Sequence, residues 1–230
     1  VYSISNSAPL TLAADLMEYA QLWRTTGDIR DTWKSVSDIA FKRQDVWAGY
    51  RRPGAWPDAD MMVLGCVGWG KYEHPINPTR LTPDEQYSHM TMWCMLSSPL
   101  ILGCDLTRAD DFLLSLLTND EVIAVNQDEL GLSPAKRYGD GTYATYIKCL
   151  ADGSIAVAMF NLSDEPKTIG FIPLSLGLME DQVVRDLWRQ QDVAKVKYSE
   201  RWECEVAPHG VRFLKLSPGS INGKPLGKYR

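Results

Sequence analysis

The sequence has few of the residues that bind metal ions or build a disulfide framework. Its 230 residues include three histidines and five cysteines, and the cysteines are widely spaced with no Cys-x-x-Cys pair. A zinc site needs clustered cysteine and histidine ligands, and a disulfide framework normally uses an even number of cysteines. We therefore expect no metal, no cofactor and no disulfide framework, and we predict that most of the cysteines are buried thiols.

The chain also lacks an excess of basic residues and any long apolar run. It has 24 lysines and arginines against 29 aspartates and glutamates, which gives a net charge of -5. Phosphate binding needs a basic surface, so no nucleic-acid partner is expected. There is no run of 18 apolar residues, so no membrane span is predicted. Hydrophobic residues make up 45% of the chain, enough for the core of one large domain or two small ones.

The N-terminus has neither a methionine nor a leader. The first residues, VYSIS, form a β-type run. We interpret the chain as a fragment or a processed product. On this interpretation the lack of a signal peptide says nothing about secretion.

The first part of the chain, up to residue 133, alternates short apolar runs with helical patterns. Strands are predicted at VYSIS, 61–65 and 99–106, and helices over 10–23, 33–44, 108–119 and 120–127. A further helix is predicted from Thr82, which can act as its cap, with Pro83 in the first turn and Glu85 completing a capping box. Strand–helix alternation is typical of a parallel sheet.

The second part, from about 134 to 217, has the pattern of short strands. TYATYIKC, a glycine turn and SIAVAMFN predict a β-hairpin, and KTIGFIPL, QVVRDLW, RWECEV and VRFLKL predict four further strands. Together they predict an antiparallel β-sandwich. The boundary is expected within 131–141, which is rich in glycine, proline and charge. Residues 218–230 are expected to form a polar, partly disordered tail.

Three aspartates in the first part are candidates for acid–base chemistry. Arg24 and Asp28 are four residues apart in WRTTGD, and Asp58 and Asp60 lie close together in GAWPDADMM. Residues that follow the strands of a parallel barrel lie at its active face, and glycosidases use two carboxyl groups. Simpler explanations are open: Asp28 as a helix N-cap, Arg24 with Asp28 as a surface ion pair, and the other two aspartates as turn residues.

Four motifs, taken in order, resemble those of a known enzyme family. They are WRTTGDIRDTWKS, GAWPDADMM, LTPDEQ followed by MTMWCMLSSPLILGCDL, and DEVIAVNQDELG. Together they resemble glycoside hydrolase family 27, the α-galactosidases and α-N-acetylgalactosaminidases. The resemblance implies an α/β part, residues 1–133, that forms the second half of a (β/α)₈ TIM barrel. An all-β part, residues 134–217, would be the family's antiparallel β-sandwich.

The resemblance also implies roles for individual residues. Asp28, in the W-R-x-x-x-D motif, corresponds to the acid/base, and Arg24 corresponds to a residue that binds substrate hydroxyls. In the GGWNDPDM motif of the family, the last aspartate and methionine line the sugar site, which points to Asp60 and Met61. We include Trp56 of the same motif as a substrate-binding residue. This chain reads GAWPDADM, so alanine replaces a glycine and proline replaces the asparagine.

Two further implications concern specificity and the second carboxyl group. Ser5 and Ala8 match the S-C-S-W-P-A pattern that leaves room for a 2-acetamido group, although the Trp-Pro between them is absent. The family nucleophile is an aspartate at the end of the fourth strand, and we expect it upstream of Val1. The isolated chain is therefore expected to be inactive.

The resemblance implies a retaining exo-glycoside hydrolase that releases terminal α-linked galactose. Its partner would be an α-galactoside oligosaccharide or glycoconjugate, with no nucleic acid and no membrane involved. The family implies a secreted, periplasmic or lysosomal location. An α-N-acetylgalactosaminidase and a non-catalytic carbohydrate-binding fragment are the alternatives.

Overall fold

The computed structural model describes residues 1–68, 70 and 75–219. They fall into two compact units that divide between Ser133 and Pro134. Residues 220–230, most of the predicted tail, lie outside the described residues.

The first unit is built on a three-stranded parallel sheet. Its strands are β1 (Ser3–Ile4), β2 (Leu22–Arg24) and β3 (Trp56–Asp58), which pair in chain order. Helix α1 (Ala13–Tyr19) connects β1 to β2, and α2 (Trp33–Lys42) lies between β2 and β3. The predicted parallel pairing is confirmed, and it brings the residues that follow the three strands to one edge of the sheet.

The helix predicted over 10–23 is shorter than expected. A 3₁₀ turn (Leu10–Leu12) leads into α1, which ends at Tyr19, and the apolar residues after it form β2. Trp23 is fully buried in a cluster with residues of α1 and Trp47. A short apolar run fits a buried strand as well as a helix, so its periodicity did not separate the two.

The two apolar runs at 61–65 and 99–106 are not strands, contrary to prediction. Their strand-type pairing is one isolated parallel bridge, between Met62 and Leu102. The chain after residue 65 instead forms a small antiparallel pair, β4 (Cys66–Val67) with β5 (Asn77–Pro78). Three backbone groups of 59–65 bond side chains of helix α3, and others bond Thr79 and the main chain of 101–103, so the segment needs no continuous neighbouring strand.

The predicted helices of the last third of this unit are present. They are α3 (Pro83–Met95), α4 (Asp111–Leu117) and α5 (Asp120–Asn126). The capping box of α3 is confirmed: the Thr82 N–H donates to Glu85 Oε2 at 2.9 Å, and the Glu85 N–H donates to Thr82 Oγ1 at 3.3 Å. Every residue of α3 from Ser88 onward is buried, so side chains on all of its faces contact other parts of the protein.

The second unit is an antiparallel β-sandwich, as predicted. Its strands are β6 (Ala135–Gly139), β7 (Tyr143–Cys149), β8 (Ile155–Asn161), β9 (Lys167–Phe171), β10 (Gln182–Asp186), β11 (Gln191–Val196), β12 (Trp202–Val206) and β13 (Val211–Pro218). One sheet has the order β11-β10-β13-β8-β7-β6, and the other pairs β12 with β9. Alternate residues of β8 and β13, including Val157 and Leu214, pack with Ile169 and Phe171 of β9 between the sheets.

Two strands of the sandwich were not predicted. β6 lies inside the expected linker 131–141. β11 follows the QVVRDLW run, which was the only strand predicted in that part of the chain. Both are edge strands of the large sheet. Edge strands carry polar and charged residues, here AKRYG and QDVAKV, so they show little hydrophobic alternation.

The prediction that most cysteines are buried is wrong. All five are free thiols, but only Cys94 is buried, while Cys149 is exposed and the other three are half-buried. Among the described helices none has the length and hydropathy needed to cross a membrane.

Thr82→Ala should destabilise the first unit by about 1 kcal/mol, because it removes the side-chain acceptor of the α3 capping box. Urea unfolding of the full chain measures the effect. Thr168→Ala, an exposed threonine on β9, is the control and should change stability by less than about 0.5 kcal/mol. Equal unfolding curves for the two variants would show that the cap contributes nothing.

Candidate active site

Candidate residues end adjacent strands at the carboxyl edge of the parallel sheet. Arg24 is the last residue of β2 and is aligned with Asp58, the last residue of β3. Ile4 of β1 is aligned with Trp23, so Ser5 follows at the level of Arg24. Side chains aligned across a parallel sheet share a face. The pairing therefore places Arg24 and Asp58 on the same face at this edge.

The centre of the site is a buried ion pair between Arg24 and Asp60. Arg24 Nη2 lies 2.5 Å from Asp60 Oδ2, and the two side chains are 11% and 2% exposed. The Ile29 N–H donates to Asp60 Oδ2 at 2.7 Å, and the Met61 N–H donates to Asp60 Oδ1 at 2.7 Å. The Asp60 carboxylate is thus held by one guanidinium and two backbone amides.

Asp28 differs from Asp60 in its environment. Its side chain is 88% exposed, and Arg24 Nη2 lies 3.4 Å from its Oδ1. It is not the N-cap of α2, since Thr32 has that position and accepts the Ser35 N–H at 3.3 Å. The surface ion pair with Arg24 exists, but the closer partner of Arg24 is Asp60. Asp28 therefore presents a solvent-accessible carboxyl group beside a buried ion pair.

Asp58 has a local structural role. Its Oδ1 accepts the Asp60 N–H at 2.8 Å, which closes a tight turn of the kind expected for an aspartate. Asp60 has φ of 89°, a left-handed conformation that the turn imposes on it. Burial raises the pKa of Asp58, against the opposing effects of the hydrogen bond from Asp60 and the charge of Arg24. The turn interpretation is therefore correct for Asp58.

A cavity of about 670 Å³ opens beside these residues. Its lining includes Arg24, Asp28, Asp60 and Met61, and Met61 is 39% exposed. Gly103 lies against Met61, and a β-carbon at residue 103 would come within 3.2 Å of the Met61 Cβ. Four of the predicted site residues therefore line one cavity.

Ser5 and Ala8 lie at the same edge but not in the lining of this cavity. The Ala8 N–H donates to the Arg24 carbonyl at 2.9 Å, so the loop that follows β1 is fixed to the end of β2. Ser5 is exposed. Both small side chains are thus next to the site without filling it.

Trp56 is not brought to this cavity. It is the first residue of β3, so the length of the strand separates it from Asp58. It lines a different cavity of about 480 Å³ with Leu22 and Pro53, and its ring lies against Gly131. Membership of the GAWPDADM motif did not imply a shared position, because a strand presents its two ends to opposite edges of the sheet.

Two family profiles match the sequence of this chain. A family profile described as "Alpha galactosidase A" matches residues 2–128, more than half of the chain, and one described as "Alpha galactosidase C-terminal beta sandwich domain" matches residues 140–216. The chain belongs to glycoside hydrolase family 27.

Several family 27 relatives and solved structures are similar along nearly the whole chain. Alpha-galactosidase 2 of Arabidopsis thaliana is 36% identical over 91% of this chain and 49% of its own length. The crystal structure of a GH27 β-L-arabinopyranosidase from Geobacillus stearothermophilus matches with a TM-score of 0.88 at 36% identity, covering 98% of this chain and 51% of that one. A putative α-N-acetylgalactosaminidase from Bacillus halodurans matches with a TM-score of 0.75 at 33% identity, covering 84% and 46%. The chain spans about half the length of the curated relatives it matches.

Helix α3 supports the site of this family 27 chain through main-chain contacts that sequence reasoning missed. The Gly65 N–H donates to Gln86 Oε1 at 3.1 Å and the Val63 N–H donates to His89 Nε2 at 3.1 Å. Trp93 Nε1 donates to the Asp60 carbonyl at 2.6 Å. The three helix residues are spaced by three and four, which places them on one face. This spacing was a visible signal for a common role.

Ser98, just after α3, extends this set of contacts. Its Oγ accepts the Ala59 N–H at 3.0 Å. The main chain from residue 59 to residue 65 is therefore held at four points by α3 and the residue that follows its last turn.

A second missed element is an ion pair between Asp31 and Arg80, both of which line the cavity. Burial raises the pKa of Asp31, but hydrogen bonds from the Arg80 side chain and backbone, with its positive charge, lower it by more. The two residues are 49 positions apart, and no local pattern in the sequence could have linked them.

His89 should make the first unit less stable in acid. Burial lowers the pKa of His89 to about 3, so the folded state stays neutral where the unfolded chain binds a proton. Its stabilising effect is present above about pH 6.5 and is lost progressively as the pH falls toward 3, by up to about 1.4 kcal/mol per pH unit. His89→Gln keeps an acceptor for the Val63 N–H and removes this titration.

Urea unfolding between pH 7 and pH 4 tests the effect of His89. Tryptophan fluorescence is a suitable signal, because the rings of His89 and Trp93 pack with their centroids 4.1 Å apart. The wild type should lose stability more steeply than the glutamine variant. Parallel pH curves would show that His89 is not the responsible group.

Proposed function

We propose that this chain provides the acid/base and part of the sugar-binding site of a retaining exo-glycoside hydrolase that releases terminal α-linked galactose. The single observation that carries the proposal is the exposed Asp28 carboxyl group beside the buried Arg24–Asp60 ion pair at the carboxyl edge of a parallel sheet. Membership of family 27 and the names of the α-galactosidase relatives support the same reaction.

The environments of the aspartates support a division of roles. Retaining hydrolysis needs a general acid that protonates the leaving oxygen and then, as a base, activates water. Asp28 is accessible to substrate and to water, so it fits this role. Asp60 is poorly suited to act as a nucleophile, because Arg24 and two backbone amides already bind its oxygens. We assign to Asp60 the placement of Arg24, and to Arg24 the binding of sugar hydroxyls, with Met61 forming part of the wall.

The nucleophile is the second group that a retaining mechanism requires, at about 5–5.5 Å from the acid/base. None of the described carboxylates beside Asp28 is free for this role, since Asp60 and Asp31 are ion-paired and Asp58 is buried in its turn. We propose that the nucleophile lies on a strand upstream of Val1, in the same polypeptide or in a second one. The three parallel strands would then be later strands of a (β/α)₈ barrel, whose active sites lie at this edge.

An α-N-acetylgalactosaminidase is the second candidate. The observation that favours it is the loop from Ser5 to Ala8, which is fixed to the Arg24 carbonyl and has small side chains beside the site. The name of the Bacillus halodurans neighbour supports it as well. The name of the Geobacillus neighbour adds β-L-arabinopyranosides to the substrates worth assaying.

The native protein, purified from its source with an antibody against this chain, provides the direct test. Mass spectrometry of the sample identifies every polypeptide present. The sample should release galactose from nitrophenyl α-galactoside, whereas the isolated 230-residue chain should not. A native protein that binds galactosides and hydrolyses none would favour the non-catalytic alternative.

Asp28→Asn in the native protein should reduce hydrolysis of natural α-galactosides by at least about 100-fold, because their leaving groups need a proton. Added azide, a nucleophile that needs no general base, should restore part of the turnover of an activated nitrophenyl substrate and give galactosyl azide. Asp15→Asn, at an exposed aspartate in the first turn of α1, is the matched control and should be fully active. Near-normal turnover by the Asp28 variant would exclude Asp28 as the acid/base.

The native protein should hydrolyse nitrophenyl α-N-acetylgalactosaminide measurably if the loop from Ser5 to Ala8 faces the sugar 2-position. Ser5→Glu would then fill the space for the acetamido group. It should lower activity on this substrate, relative to the α-galactoside, by at least about 10-fold. Ser7→Glu in the same loop is the control. An unchanged ratio of the two activities in the Ser5 variant would show that Ser5 does not determine the preference between the two substrates.

A further inference from the structure

The segment that carries Asp28 is fixed at three consecutive positions that follow it. The Ile29 N–H donates to Asp60 Oδ2 at 2.7 Å, and the Arg30 N–H donates to Ser35 Oγ at 2.9 Å. Asp31 is bound by Arg80. Within the described part of the chain, the only polar contact made by the Asp28 side chain, at the start of this segment, is the one of 3.4 Å with Arg24. Its direction therefore depends on the contacts of its neighbours.

Arg80 binds Asp31 in the forked geometry that fixes direction as well as distance. Arg80 Nη2 donates to Asp31 Oδ1 at 2.7 Å, and Arg80 Nε donates to Asp31 Oδ2 at 3.1 Å. The Arg80 N–H also donates to Asp31 Oδ2 at 3.1 Å. A paired contact of this kind orients both groups, whereas a single exposed ion pair contributes little.

The backbone that carries Arg80 is itself well fixed. The Thr79 N–H donates to the Gly65 carbonyl at 2.6 Å, and Thr79 Oγ1 donates to the Val63 carbonyl at 2.9 Å. Two residues later, Thr82 caps the buried helix α3. Arg80 is thus attached to the same frame that holds Asp60, and its guanidinium connects that frame to the segment of Asp28 across the cavity wall.

We propose that Asp31 and Arg80 are positioning residues that hold the acid/base Asp28 in line with the leaving oxygen of the substrate. Neither needs to contact the sugar. The inference rests on the proposed function, because it assigns to the pair an effect on proton transfer from Asp28.

Proton transfer gives the pair a kinetic signature that general destabilisation would not. A sugar or methyl leaving group departs only when a well-placed acid protonates it, whereas a dinitrophenolate is stable without a proton. A misdirected Asp28 should therefore slow substrates with poor leaving groups and spare substrates with good ones. Loss of folded protein would lower both activities equally.

Arg80→Ala and Arg80→Lys in the native protein test this difference with methyl α-galactoside and 2,4-dinitrophenyl α-galactoside. Arg80→Ala should lower kcat/KM at least about 10-fold for the methyl glycoside and less than about 3-fold for the dinitrophenyl glycoside. The comparison uses kcat/KM because it reports the first step, in which the leaving oxygen is protonated, and not the later hydrolysis by water. Arg80→Lys keeps the charge but cannot form the fork, so an intermediate loss is expected. Arg201→Ala removes an exposed arginine that is paired with Glu203 at 2.6 Å in the sandwich, and both activities should be unchanged.

Hydrogen exchange of the same variants measures, independently of catalysis, whether the Asp31–Arg80 contact orders the segment. The amides of Ile29 and Arg30 should exchange faster in Arg80→Ala than in the wild type or in Arg201→Ala. Slower turnover with an unchanged ratio between the two glycosides would overturn the positioning role, as would full activity on both.

A wild type without turnover on either glycoside would overturn the proposed function, and the positioning role with it. Exchange at Ile29 would then still show whether the Asp31–Arg80 contact orders the segment. Failure of the proposed function and failure of the Asp31–Arg80 contact to order the segment are thus separate results.

Discussion

The buried contact between Arg24 and Asp60 is the constraint on which the geometry of the site depends. It joins the end of β2 to the turn that follows β3, and the same carboxylate accepts the Ile29 N–H. Removing one partner of a buried ion pair leaves the other charge uncompensated, at a cost of about 3–5 kcal/mol. Because two backbone segments meet at Asp60, a change there would also release the segment that carries Asp28.

Charge and exposure are divided between the two aspartates around Arg24. Asp60 is buried and its oxygens are used in fixed contacts, so it can hold a position but has little capacity for chemistry. Asp28 is exposed and makes one long contact with Arg24, so its carboxyl group is open to solvent. The same guanidinium lies beside both. The buried Arg24–Asp60 pair thus fixes the position of the guanidinium that lies beside the accessible Asp28 carboxyl group.

Local sequence patterns predicted the features that depend on neighbours in the chain. The capping box of Thr82 and Glu85 and the β7–β8 hairpin are of this kind, and both are present. The patterns did not predict features that depend on distant residues. Asp60 is the main partner of Arg24 although Asp28 is nearer in sequence, and Asp31 pairs with a residue 49 positions away.

Other differences between prediction and structure arise because a hydrophobic pattern indicates burial but not the hydrogen-bond partners of the backbone. The run at 61–65 has the composition of a buried strand, yet two of its N–H groups bond helix side chains and, among the described residues, only Met62 pairs with another main-chain segment in the manner of a strand. The edge strands β6 and β11 have the composition of loops, because one side of each is unpaired. Trp56 belongs to a motif that contains site residues, but it lies at the other end of its strand.

Four hydrogen bonds join α3 and Ser98 to the segment 59–65, and all four use main-chain groups of that segment. Asp60 offers a carbonyl, and Ala59, Val63 and Gly65 offer N–H groups, so none of the four attachments requires a particular side chain there. Proline is excluded at the three donor positions, since it has no N–H. Gly65 also disfavours any larger residue, because its φ is 62° and a β-carbon there would lie 2.5 Å from Leu113 Cδ2. A cavity-lining side chain such as that of Met61 takes no part in these four hydrogen bonds, so it can be exchanged while they are retained. The shape of the cavity can thus change without a change in the main-chain frame beside it.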